Sequence, residues 1–220
     1  MNRLVILDFD GTAVDTITDV ALCFNEALRR NGFPEHPIKA FDSFVGGDLE
    51  TVVSRMLPQE DVTEENITRV KAVYRKLYLE SDKPNTAPYP GMMELMQNLK
   101  TQGYWLAINS NKGQALLDDM VGKMFPEGFF DAVVGYDESR PSKPDPFGVH
   151  LICQKCGANI ANVVYVGDGK SDIVTAANAQ VPCVFVTWGQ GKPEDRNDKR
   201  IAYVVDNSNQ LREALLRWEW

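Results

Sequence analysis

The chain has no apolar run long enough to cross a bilayer, which excludes a membrane-spanning helix. It has no lysine/arginine cluster, and 31 acidic against 23 basic residues leave a net charge of −8. That argues against nucleic acid or anionic membrane as the main partner. It does not argue against a phosphorylated substrate, because local charge at a site can oppose the global sign. Cysteine is sparse, four scattered residues, so a cytoplasmic location is expected. Cys153 and Cys156 form one C-x-x-C pair inside a helical pattern. No second pair and no nearby histidine completes a metal site, so helix packing is their expected role. The N-terminus begins directly with a strand, so no signal peptide is expected. Internal repeats and low-complexity tracts are absent too. What is present is a hydrophobic content of 44%, enough for a core and too much for wholesale disorder.

The stretch around which the rest is organised is Leu4-Val5-Ile6-Leu7-Asp8-Phe9-Asp10-Gly11-Thr12. A short apolar run closed by a turn signal fits a strand buried on both faces. Asp8 and Asp10 then sit at its C-terminal end, where open α/β sheets place ligands. Two residues apart in extended backbone, they point the same way and repel unless one is protonated or a cation intervenes. Oxygen ligands favour a hard divalent cation, and Mg²⁺ beside a phosphate is the common case.

Downstream, Asp15 or Thr16 is suited to cap a helix that runs through Val20, Ala21, Phe24, Ala27 and Leu28 to Gly32. Up to about residue 84 no strand is evident. A helix through Leu49–Leu57 stops at Pro58, and a longer one runs from Thr63 to Tyr78. At Pro88-Tyr89-Pro90-Gly91 the pattern changes to alternating helix and strand, with strands at Tyr104–Asn109, Ala132–Gly135, Val163–Val166, Cys183–Trp188 and Ile201–Val205. Such alternation means a parallel sheet with helices on both faces.

Three further strand ends or loops are polar. Ser110 offers a hydroxyl followed by amides at a helix N-terminus, which makes either a phosphate cradle or a plain N-cap. Pro141-Ser142-Lys143-Pro144-Asp145-Pro146 is a rigid loop that can deliver one point charge to a phosphate with little entropy to lose. Gly167-Asp168-Gly169-Lys170-Ser171-Asp172 is a second acidic strand end; capping is an alternative for Asp172 but explains Asp168 poorly.

Asp8-Phe9-Asp10-Gly11-Thr12 resembles the first motif of the haloacid dehalogenase-like superfamily, specifically its phosphatases. Ser110 with Asn111-Lys112, Lys143-Pro-x-Pro, and Gly167-Asp168-x-x-x-Asp172 resemble its second, third and fourth motifs. Asn109 departs from the pattern, since an apolar residue is usual there. The resemblance covers essentially the whole chain and implies an α/β fold: a Rossmann-like parallel-sheet core, residues 1–15 and 86–220, with an inserted all-helical cap domain, residues 16–85. The Pro88–Gly91 stretch resembles the return to the core in the phosphoglycolate-phosphatase-like branch.

The reaction this resemblance implies is phosphoryl transfer through an aspartyl phosphate, with Asp8 as nucleophile and Asp10 as general acid, then base. It implies Mg²⁺ held by Asp8, Asp10 (through its carbonyl) and Asp168, with Asp172 in support. Lys143 and Ser110, with Asn111 beside it, would stabilise the transferring group, and Thr12 would help Asp10 hold its geometry against the substrate. Gly46 and Gly47 resemble the specificity loop of capped phosphatases, so substrate choice is expected in the cap. A small phosphorylated metabolite is the expected partner, phosphoglycolate being one candidate, for a monomer or homodimer. Asp10 separates the chain from dehalogenase and phosphonatase relatives. Val20, where hexose-phosphate mutase relatives usually carry histidine, weakens a mutase reading. A pyrophosphatase or phosphomutase on the same scaffold, and a non-catalytic phosphate-binding regulator, are the alternatives.

Overall fold

The computed structural model describes residues 3–218. Its strands and helices fall into two compact units, 1–14 with 88–220 and 15–87.

The first unit is built on a six-stranded sheet. β1 (Leu4–Leu7) opens it, and the short strands β2 (Val14–Asp15) and β3 (Ala87–Pro88) lie where the chain leaves and returns. Then follow β4 (Trp105–Gly113), β5 (Ala132–Tyr136), β6 (Val163–Gly167), β7 (Cys183–Val186) and β8 (Ile201–Val205). The order is β5-β4-β1-β6-β7-β8, and every pairing in it is parallel. This is the doubly wound arrangement expected from the alternation of elements. β1 lies between β4 and β6, with Leu7 opposite both Ile108 and Val166. Its four apolar side chains are at most 1% exposed. Burial of each is worth about 1.5–3 kcal/mol, which fixes the register of the strand that carries Asp8.

Strand order reverses on either side of β1, so the carboxyl ends of β1, β4 and β6 border the crevice where such sheets take ligands. The core beneath is Ile6, Ala107, Val149, Ile152, Val163, Tyr165, Ile173 and Phe185 with their neighbours. Two sequence expectations shift here. The fourth strand does not stop at Asn109; it continues to Gly113 with an irregular register after Asn109, and α6 (Gln114–Met124) begins only at Gln114. Ser110 therefore lies on the strand, away from any helix N-terminus. The seventh strand ends at Val186, where the backbone turns off the sheet toward Gly189 and Gly191.

The second unit is helical: α1 (Ile17–Arg30), the one-turn α2 (Phe41–Phe44), α3 (Leu49–Met56) and α4 (Glu64–Glu80). Phe24 of α1 stacks on Tyr74 of α4, ring centroids 3.6 Å apart and almost parallel, and Tyr78 continues the stack. At the start of α1 the Asp15 carboxylate accepts the Ile17 amide, while Thr16 makes no side-chain cap. Asp19, buried on α1, accepts from the Asn85 amide, the Asn85 side chain and the Thr86 hydroxyl at 2.6–2.9 Å. That carboxylate ties the beginning of the helical unit to its end.

The remaining helices, α5 (Met92–Thr101), α7 (Phe147–Cys156), α8 (Lys170–Asn178) and α9 (Ser208–Leu216), belong to the sheet unit. Cys153 and Cys156 sit in α7, and burial raises both thiols above their ordinary range, as suits packing residues. Among the described residues no helix is long and apolar enough to cross a membrane.

Candidate active site

The ends of β1 and β6 bring together what the sequence places far apart. Asp8, Asp168 and Asp172 present carboxylate oxygens all within 4.8 Å of one another, and all three residues are buried. Lys143 enters this group from its proline-bounded loop. Its ammonium lies 2.9 Å from Asp8 Oδ2 and donates to Asp172 Oδ1 at 2.8 Å. The Lys143–Pro144 peptide is cis.

Two side-chain pairs hold that loop. Asn111 donates to the Lys143 carbonyl (3.2 Å) and accepts from its amide (3.0 Å), and Asn178 donates to the Pro144 carbonyl. The Asn111 amide is thus engaged with the lysine's main chain and acts on the site by placing Lys143.

Electrostatics follow from burial. Desolvation, reinforced by Asp172 and Asp168, raises Asp8 well above the usual carboxylate range, and Lys143 only partly offsets it. Asp168 is pushed up to about 7 by burial and then by Asp172, against the Thr12 and Gln190 donors that favour its charged form. For Lys143, burial alone would depress the ammonium, but Asp172 and Asp8 outweigh it and hold it well above the ordinary lysine value. Three buried carboxylates against one ammonium leave the cluster short of positive charge. Oxygen donors alone, close together and starved of charge, fit a hard divalent cation such as Mg²⁺.

Thr12 differs from expectation. Its hydroxyl donates to Asp168 Oδ1 at 2.8 Å, so it orients that carboxylate in place of Asp10. Gly11 explains why the turn can lie so close. Its φ is +79°, and a Cβ there would stand 2.5 Å from Asp168 Oδ2. The Asp10 carboxylate is not one of this cluster of three; its Oδ1 lies 3.1 Å from the Lys112 ammonium. Ser110 is buried, its hydroxyl oxygen accepting from the Lys112 amide at 3.2 Å.

Asp172, besides binding Lys143, accepts the Gly169 amide at 3.0 Å and the Tyr165 hydroxyl at 3.2 Å. The Tyr165 oxygen in turn accepts from Asn109 Nδ2 at 3.3 Å. Asn109, unusual by the family pattern, is the far end of this buried chain. A Cβ on Gly148 would collide with its side chain, so α7 packs directly against it.

Gly46 and Gly47 lie in the helical unit, both at positive φ (100° and 95°), in a loop braced by Arg55 donating to the Phe44 and Gly46 carbonyls. Asp48 caps the helix that follows by accepting from Thr51 N.

Two contributors had no motif to announce them, Tyr165 and the Thr187-Trp188-Gly189-Gln190-Gly191 turn. The Gln190 amide donates to Asp168 Oδ2 at 2.8 Å, and the Trp188 indole donates to the Thr12 carbonyl at 3.0 Å. The signal for the turn was present: another buried strand ending in a glycine-rich polar segment.

Residues 5–186 match the family described as haloacid dehalogenase-like hydrolase. A phosphoglycolate phosphatase from Pseudomonas putida is 30% identical over 215 residues, 95% of this chain and 78% of that one. Another from Aquifex aeolicus is 30% identical over 190 residues, 86% of this chain and 87% of its own. The crystal structure of a protein from Lactobacillus delbrueckii subsp. bulgaricus, provisionally named a phosphoglycolate phosphatase, superposes with a TM-score of 0.92. It is 27% identical, and the match covers 99% of this chain and all of that one.

Proposed function

From the premise that this chain belongs to the haloacid dehalogenase-like hydrolase family and is a phosphatase of it, we propose that it hydrolyses a small organic phosphate monoester through an aspartyl phosphate on Asp8. The observation that carries this reading is the buried Asp8–Lys143–Asp172–Asp168 cluster at the switch point of the sheet. Phosphoglycolate is the first substrate to try, because it names the relatives from Pseudomonas putida and Aquifex aeolicus.

Asp8 Oδ attacks phosphorus and the bond to the ester oxygen breaks, while Asp10 gives that oxygen its proton. A water then loses a proton to the Asp10 carboxylate and attacks the same phosphorus, which releases phosphate and restores Asp8. Lys143, 2.9 Å from Asp8, lowers the repulsion between nucleophile and phosphate, and Ser110 offers its hydroxyl to a phosphoryl oxygen. Asp8, the Asp10 carbonyl and Asp168 would hold Mg²⁺, with Asp172 supporting through Lys143; bound there, the ion supplies Lewis-acid neutralisation of phosphoryl charge. Four unbridged cysteines fit the cytoplasm as the place of action.

The test is phosphate release from p-nitrophenyl phosphate and from phosphoglycolate with Mg²⁺, native against Asp8→Asn. Loss of turnover in the variant is expected. Equal activity in both would sink the nucleophile, and inactivity of the native protein would leave a phosphate-binding regulator as the better reading.

A further inference from the structure

Lys112 has so far appeared only beside Ser110 in the second motif and against Asp10, with no role of its own, yet its surroundings are built. Its side chain is only 7% exposed, and the ammonium lies 3.1 Å from Asp10 Oδ1. Burial of the lysine sets this pair apart from exposed surface pairs, whose worth is small because solvent and salt screen them. The backbone of residue 112 is fixed from two sides. Its amide donates to Ser110 Oγ, and its carbonyl lies where a Cβ on Gly135 would be, 2.7 Å away, so the absence of that Cβ lets strands β4 and β5 close on it. The preceding residue, Asn111, is locked to the Lys143 main chain. One three-residue segment thus touches the proposed phosphoryl binder, the loop of the buried lysine, and Asp10. The late continuation of β4 past Asn109 is what carries Lys112 there.

We propose that Lys112 is a positioning residue for proton transfer: it fixes the plane and direction of the Asp10 carboxylate, so that the proton reaches the departing ester oxygen. The inference rests on the phosphatase reading above and deepens it. A general acid contributes only when aimed, and a carboxylate two rotatable bonds from the backbone needs a partner to aim it. With Oδ1 held by the ammonium, the carboxylate keeps one orientation. In the second half of the reaction the same orientation faces the attacking water.

The experiment exploits the leaving group. Expulsion of an alkoxide needs the proton, whereas p-nitrophenolate leaves well without it. The quantity is kcat/KM, which reads the steps up to departure of the leaving group. For Lys112→Met with Mg²⁺ present, kcat/KM on ethyl phosphate should fall about 10- to 100-fold, a fraction of the roughly 10²–10⁴-fold that a general acid contributes, because the acid remains but is less well aimed. The fall on p-nitrophenyl phosphate should be about tenfold smaller. Lys112→Arg, which retains a cation able to reach Asp10, should recover most of the ethyl phosphate activity. In an Asp10→Asn background the Lys112→Met change should add little, since the pair acts as a unit.

Equal losses on the two esters would overturn the inference and make Lys112 structural or a general electrostatic contributor. An equal rise in KM on both esters with kcat unchanged would overturn it in favour of direct substrate binding. A thermal melt accompanies each variant; if Lys112→Met is unfolded, the ratio of the two losses is read from Lys112→Gln and Lys112→Arg. No turnover by the native protein of either ester or of phosphoglycolate, itself an alkyl phosphate that can stand in for ethyl phosphate, would overturn the phosphatase reading and this inference together, whereas native turnover with equal losses would overturn this inference alone.

Discussion

Metal-free protein should become more stable as the solution is acidified from pH 8 to pH 5.5, against the usual trend. The cause is Asp168, whose folded-state pKa of about 7 lies above its unfolded value of about 3.9. A group raised in the folded state gives its stabilisation in full below the unfolded pKa and loses it as pH rises through the folded one. Between pH 8 and pH 5.5 the titration at about 7 is crossed by roughly 1.5 pH units, worth ~2 kcal/mol at ~1.36 kcal/mol per unit. For a chain of this size that is about 4–8 °C in Tm. Asp8, also raised, acts in the same direction. Asp198, held low by Arg200 and Lys170, contributes in the opposite sense, but only as pH falls below the ordinary carboxylate range, outside this window. The assay is a melt in EDTA across the window for the native protein and Asp168→Asn, the difference cancelling every group the two share. Saturating Mg²⁺ should flatten the native slope, because a cation and a proton compete for the same oxygens. Identical slopes for the two proteins in EDTA, or a native protein that loses stability relative to the variant on acidification, would refute the reasoning.

Gly11→Ala should lose most phosphatase activity, read as phosphate release, because the new methyl meets Asp168 and the residue must hold φ +79°; the backbone term alone costs about 1–2 kcal/mol. Tyr165→Phe removes the hydroxyl between Asn109 and Asp172, and should lower stability by about 1–3 kcal/mol in a denaturant titration. Its kcat should fall more than its KM rises, since Lys143 loses part of what orients its partner; an unchanged kcat would show that Asp172 holds Lys143 without help.

Much of this site is legible in sequence because its first elements are local. An apolar run ending in Asp8-Phe9-Asp10-Gly11 announces a buried strand with acids at its mouth, and Val163–Asp168 repeats the pattern. The α/β sheet with a helical insertion follows from the same periodicities. What stayed hidden depends on register and on pairs remote in sequence. Lys112 is visible in the sequence only as a companion of Ser110, because nothing local says that β4 runs on to Gly113 and carries its side chain to Asp10. Thr12 was matched to the nearer aspartate, whereas its partner is 156 residues away. Asn109 looked anomalous only because its partner, Tyr165, lies on another strand.

The central position of β1 also sets an order on synthesis. Leu4 pairs with Trp105 and Val163, so this strand leaves the ribosome before either neighbour exists. At about 5–20 residues per second, its first partner follows after roughly 5–20 s and its second after roughly 8–30 s. The helical residues 15–87 are made in that interval and can form among themselves. Through it, an apolar strand destined for the middle of the sheet waits without either of its partners.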